Sequence, residues 1–155
     1  MLGAIGKVSR TLPHYHGLDK MIKATPENSE PIPTVLVSRP GIMQQSLRAS
    51  LASYPWVSLV ASAGDGLTAL SEVSRHKPKL VVIDSNLLDE EVAALLDAIK
   101  RAHPPARCLV FIKSYRHDAQ MRTCGADAVA LRDGSPQALE AVLLRFANEA
   151  SEPLT

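Results

Sequence analysis

The sequence predicts an α/β fold: a doubly wound, five-stranded parallel sheet with helices on both faces. Three observations lead there. Strand-like apolar runs and amphipathic helical stretches alternate about five times along the 155 residues. The central runs, such as Leu80-Val81-Val82-Ile83, are continuously apolar, as in strands covered on both faces. Each pair of runs is separated by a stretch of helical period, which is what a parallel sheet needs for its crossovers.

Residues 1–32 mix Gly, Ser, Pro, Lys and His and close on TPENSEPIP. That stretch reads as a flexible, proline-punctuated arm ahead of a domain over 33–150, with 151–155 as a polar tail. Thr34 to Val37 is the first strand. Met43, Leu47 and Leu51 recur every four residues and set the first helix. Val57 to Ala61 is the second strand, and Gly64-Asp65-Gly66 turns the chain into a helix with Leu67, Leu70 and Val73 on one stripe. The third strand is Leu80 to Ile83. Behind it, Val92, Leu95, Leu96 and Ile99 give an amphipathic helix. Cys108 to Ile112 is the fourth strand. A more polar helix covers about Tyr115 to Thr123 and ends at Gly125. Ala128 to Leu131 is the fifth strand. Ser135 and Pro136 supply an N-cap and a first helical position for the last helix. Its buried stripe is Leu139, Val142, Leu143 and Phe146.

Composition bounds the function. A chain with 46% hydrophobic and 21% charged residues can bury a core. A net charge of +1 gives no electrostatic footprint for nucleic acid, so no direct DNA binding is expected. No apolar run reaches the length of a membrane span, and MLGAIGKVSR lacks the apolar stretch of a signal peptide. Cys108 and Cys124 stand outside any metal-type spacing and read as reduced thiols of a cytoplasmic protein. His14 and His16 flank Tyr15, but a pair without a third ligand reads as part of a solvated arm. Tyr54 and Trp56 read as packing at the core's edge.

Right-handed crossovers bring every strand's C-terminal end to one edge of the sheet. Asp84 follows the third strand there. Ser38-Arg39 follow the first strand, Ile112-Lys113 the fourth, and Arg132 the fifth. A carboxylate at the end of an apolar strand needs a job or a partner.

VVIDSNLL, ASAGDGLTAL and TCGADAVALRDGSPQALEAV, with the strand-helix rhythm, resemble a response regulator receiver domain over about Thr34 to Phe146. The resemblance implies flavodoxin-like topology with strand order 2-1-3-4-5. It makes Asp84 the equivalent of the family's phosphoacceptor. Ser38 and Arg39 then stand where the family has two magnesium-binding acids. Ile112 takes the place of a Thr or Ser after the fourth strand, or Ser114 does if the following helix is shortened. Val129 replaces the aromatic switch residue, and Arg132 the family lysine.

These departures have physical consequences. Magnesium needs hard oxygen ligands that include carboxylates, and Ser38 is a weak ligand while Arg39 repels the ion. Phosphoryl transfer depends on neutralising charge on the transferred oxygens. No magnesium, no other cofactor and no enzymatic activity are therefore expected. Asp84 is expected to pair with Arg39, Arg132 or Lys113 instead. The function this predicts is that of a pseudo-receiver, a non-catalytic interaction module of a two-component-type signalling pathway. The alternative is a working phosphoacceptor response regulator, phosphorylated on Asp84 by a histidine kinase. The expected partner is a signalling protein or a second copy of the chain. The candidate face combines the fourth helix, fifth strand and fifth helix, with Tyr115, Arg116, Arg122, Leu131 and Arg132. With no output domain read after Phe146, a transcriptional effect would run through that partner. A flavin or nucleotide module fits less well, because SRPGIMQQ offers one glycine where a phosphate loop needs several.

Overall fold

The computed structural model describes residues 30–132 and 136–151. In chain order these form β1 (Ile32–Val37), α1 (Ile42–Ala52), β2 (Val57–Ala63), α2 (Gly66–His76), β3 (Leu80–Ile83) and α3 (Asp89–Ala102). Then follow β4 (Arg107–Ile112), a 3₁₀ turn (Tyr115–His117), α4 (Asp118–Thr123), β5 (Ala128–Leu131) and α5 (Pro136–Ser151). The five strands pair in parallel, as the sequence pattern predicts, in the order β2-β1-β3-β4-β5 that the resemblance implies.

Strand alternation sorts the core into two layers. Val35, Val37, Val81, Ile83, Val110 and Ile112 pack with Val73 of α2 and Val92, Leu96 and Ile99 of α3. Leu36, Leu80, Val82, Leu109 and Phe111 face Leu47 and Leu51 of α1 and Leu143 and Phe146 of α5. All four residues of β3 are buried, so its unbroken apolar run covers both faces. The α3 helix buries the stripe read from the sequence. Its first turn carries Asp89, Glu90 and Glu91 and its last turn Lys100 and Arg101, the signs the helix dipole favours.

Several boundaries and stripes differ from the sequence reading. β1 begins at Ile32, which is 4% exposed and pairs with Val57. Ile32, assigned to the arm, thereby belongs to the sheet, and the strand starts two residues before Thr34. β2 continues to Ala63, with an irregularity opposite Thr34/Val35, and β4 starts at Arg107. Met43 is 42% and Leu67 85% exposed, so α1 buries Leu47 and Leu51 while α2 buries Ala69 and Val73. Both exposed residues lie in the first turn of their helix. The fourth helical segment is split. Ser114 Oγ accepts the Arg116 N–H at 3.2 Å and starts a 3₁₀ turn, leaving α4 only six residues long. Gly125, at φ 120°, ends α4: its N–H reaches Arg122 O at 3.1 Å, and Ala126 N–H reaches Met121 O at 3.0 Å. Tyr54 and Trp56 are buried rather than at the core's edge, with ring centroids 5.3 Å apart. Ser135, His14, His16 and the rest of residues 1–29 and 152–155 lie outside the described residues. Among the described residues no helix is long and apolar enough to cross a membrane.

Candidate functional site

Asp84 is fixed by the sheet before its side chain makes any contact. Its N–H donates to Val37 O at 2.8 Å, extending the β1–β3 ladder by one residue. The carboxylate is wholly buried. Oδ1 accepts from Ser85 N at 2.7 Å and from Arg132 Nε at 2.9 Å, and Oδ2 accepts from Ser38 Oγ at 2.8 Å. Arg132 is itself anchored, its N–H on Ile112 O at 2.9 Å and its guanidinium 5.7 Å from the Phe111 ring centroid. Of the three cations expected near Asp84, Arg132 is the one that holds it.

Arg39 goes elsewhere. Its Nε donates to Asn86 O at 2.9 Å, its backbone N–H to Asn86 Oδ1 at 3.1 Å, and Nη2 lies 3.4 Å from Glu91 Oε1. Lys113 is exposed, and its amine makes no hydrogen bond or ion pair with the described residues. Asn86 also donates from Nδ2 to Ser38 Oγ at 3.2 Å, and Glu91 Oε2 accepts Gly66 N–H at 2.8 Å. The result ties the loops after β1, β2 and β3 together. Glu91 was missed in the sequence, where it reads as an ordinary first-turn acid. Asn86, two places past Asp84, reads there only as the carbonyl a magnesium ion would use, not as a partner of Arg39 and Ser38. Asp127 was missed as well. At the other edge it accepts Lys100 Nζ at 2.6 Å and Cys108 N–H at 2.7 Å, fastening β5 to β4 and α3.

The donor set does not fit magnesium. Both Asp84 oxygens already accept hydrogen bonds, Glu91 is taken up by Arg39 and the Gly66 N–H, and the Asn86 carbonyl is engaged by Arg39. Among the described residues no three His, Cys, Asp or Glu side chains converge to hold a metal. Ile112, the last residue of β4, is buried opposite Leu131, and Val129 packs against the same core. The helix after β4 is shortened to Asp118–Thr123, the condition under which Ser114 takes the place of Ile112, and Ser114 Oγ accepts the Arg116 N–H of the preceding turn. On the candidate partner face, Tyr115 is 65% exposed and Arg116 and Arg122 are exposed, Arg122 pairing with Asp118 at 2.6 Å. Leu131 is partly buried, and the Arg132 side chain turns to Asp84.

A parallel sheet of order 2-1-3-4-5 with an acid at the end of β3 is the architecture of response regulator receiver domains. Among solved structures, the chain is similar to the receiver domain of NarL from Mycobacterium tuberculosis, with a TM-score of 0.69 and 21% identity over 77% of this chain and 98% of that one. It is similar to a LuxR-family two-component response regulator from Aurantimonas sp. SI85-9A1, with a TM-score of 0.66 and 22% identity over 79% and 100%. It also resembles the isolated receiver domain of RcsB from Salmonella enterica serovar Typhimurium, determined in the presence of the phosphomimetic BeF3−, with a TM-score of 0.67 and 17% identity over 81% and 94%. No protein-family model and no curated protein sequence matches the chain. At these identities the likeness establishes the fold, and the chemistry of the edge must be argued from this chain's own residues.

Proposed function

We propose that the chain is a receiver-fold signalling module that acts by binding another protein and is not phosphorylated on Asp84 by a magnesium-dependent route. The observation that carries this reading is the enclosure of Asp84, with Ser38 Oγ, Ser85 N and Arg132 Nε on its two oxygens. A carboxylate so held is a poor nucleophile, and its charge is already balanced. Arg39 brings positive charge to the edge but, spent on Asn86 O and Glu91, it cannot orient a phosphoryl donor as a metal does. Switching needs contacts that differ between two states, and neither Ile112 nor Val129 has a polar or aromatic group to supply them.

Protein recognition has its own support. The large exposed hydrophobics among the described residues are Ile42, Met43, Leu67, Leu88 and Tyr115. Each lies in the loop or first turn after β1, β2, β3 or β4, so they share the edge that carries Asp84. Apolar groups gathered on one surface mark an interaction site.

Titration calorimetry with magnesium chloride tests the reading. No saturable heat is expected at millimolar concentrations. A saturable signal that disappears in Asp84→Asn would overturn it and favour the phosphoacceptor. Trp56 fluorescence is no substitute, since that ring is buried at the start of β2, far from the edge.

A further inference from the structure

A cavity of about 300 Å³ opens between the start of α3, the end of β4 and α4. That is the lower end of the range for small-molecule pockets, about 300–1,000 Å³. Its floor is apolar: Leu87, Val92, Val110, Ile112 and Met121. Ser85, Asp89, Glu90, Lys113 and His117 stand around it.

Among the described residues, some of these polar groups are matched and some are not. Asp89 faces His117 at 3.4 Å, and Asp84, which also borders the cavity, is held by Arg132. The Ser85 hydroxyl is buried with no hydrogen-bond partner, an arrangement native structures rarely tolerate without a ligand or water. The Lys113 amine and the Glu90 carboxylate make no hydrogen bond or ion pair. The complement of such a site is a small molecule with an apolar body and one group of each charge. A simple anion would meet Glu90 and Asp89, and a simple amine would meet Lys113.

We propose that this cavity binds a free α-amino acid with an apolar side chain. The side chain lies on the Leu87–Met121 floor, the carboxylate on Lys113, the ammonium on Glu90, and one polar atom within reach of Ser85 Oγ. The inference rests on the fold and the cavity and not on the phosphorylation state of Asp84, so the magnesium titration and the test below can fail separately.

The test is an amide NMR titration of the full chain with L-leucine and L-phenylalanine, alongside phenethylamine, which lacks the carboxylate, and 3-phenylpropanoate, which lacks the ammonium. Saturable shifts centred on Ser85, Leu87, Lys113 and His117 are expected for the amino acids. Each analogue should bind phenylalanine's site about tenfold more weakly or worse, the scale of one lost charged hydrogen bond. Lys113→Met should weaken phenylalanine by a similar factor and leave phenethylamine binding as tightly as before or tighter, since the like charge is gone. Glu90→Gln should weaken phenylalanine and leave 3-phenylpropanoate binding as tightly as before or tighter. Both positions are exposed, so the variants keep the fold and their spectra will show it. No saturable shift from either amino acid at millimolar concentration, analogues that bind as tightly, or variants that bind phenylalanine like the original chain would each overturn the proposal.

Discussion

Arg132 and Arg39 occupy the same edge and do different work. Arg132 neutralises a carboxylate with no access to water, while a quarter of its own side chain meets solvent. Replacing it with Met strands the Asp84 charge. A loss of about 2–3 kcal/mol is expected in chemical denaturation, below the ~3–5 of a fully buried pair because of that partial exposure. Adding Asp84→Asn should recover much of the loss, and a double-mutant cycle measures the coupling. Cys108 gives a second residue-scale expectation. Burial pushes its thiol up to about 12, despite the nearby Lys100. The unfolded thiol ionises at its ordinary value while the native one stays protonated. The contribution to stability is therefore full below the ordinary thiol value and falls away as pH rises towards about 12. In native protein at pH about 8.5, the ordinary thiol range, a thiol reagent should modify Cys124 well before Cys108. Residue by residue, Asp84 was legible because an acid ending a buried strand has few options. The route of Arg39 to Asn86 O and Glu91 was not, since 47 and 52 residues separate those partners and no local pattern encodes them.

At the scale of elements, the readable ones carry a strong period or a strong stop. β3, α3 and β5 appear where their apolar patterns put them. β1 was read short because Pro33 punctuates TPENSEPIP like a linker. In the sheet, Pro33 lacks a donor but its carbonyl still accepts Lys79 N–H at 2.9 Å, so the strand survives it. The stripes of α1 and α2 were overextended into first turns where Met43 and Leu67 are exposed. The α4 stop was read correctly and offers a test. At Gly125 an added Cβ would need φ 120° and would lie 3.2 Å from Lys100 Cγ. Gly125→Ala should destabilise the domain by about 1–2 kcal/mol, measured by denaturant midpoint at constant m-value. It should also disturb the Lys100–Asp127 pair beside it.

Across the whole molecule, short-range periodicity encodes the fold and its two core layers, whereas the edge network joins loops 25 to 52 residues apart. That is why the sequence yields the architecture more fully than the site. The fold also sets where the domain can be cut. Removing residues 1–32 deletes Ile32 from β1, whereas stopping at residue 29 spares it. The longer deletion should cost about 2–3 kcal/mol more than the shorter, the scale of one buried isoleucine, read as a difference in denaturation free energy. The central claim is that Asp84 is a structural carboxylate held by Ser38, Ser85 and Arg132. Intact-mass spectrometry after incubation with acetyl phosphate, with and without magnesium, tests it most directly. The account expects the unmodified mass under both conditions; a magnesium-dependent gain of one phosphoryl group, abolished by Asp84→Asn, would contradict it.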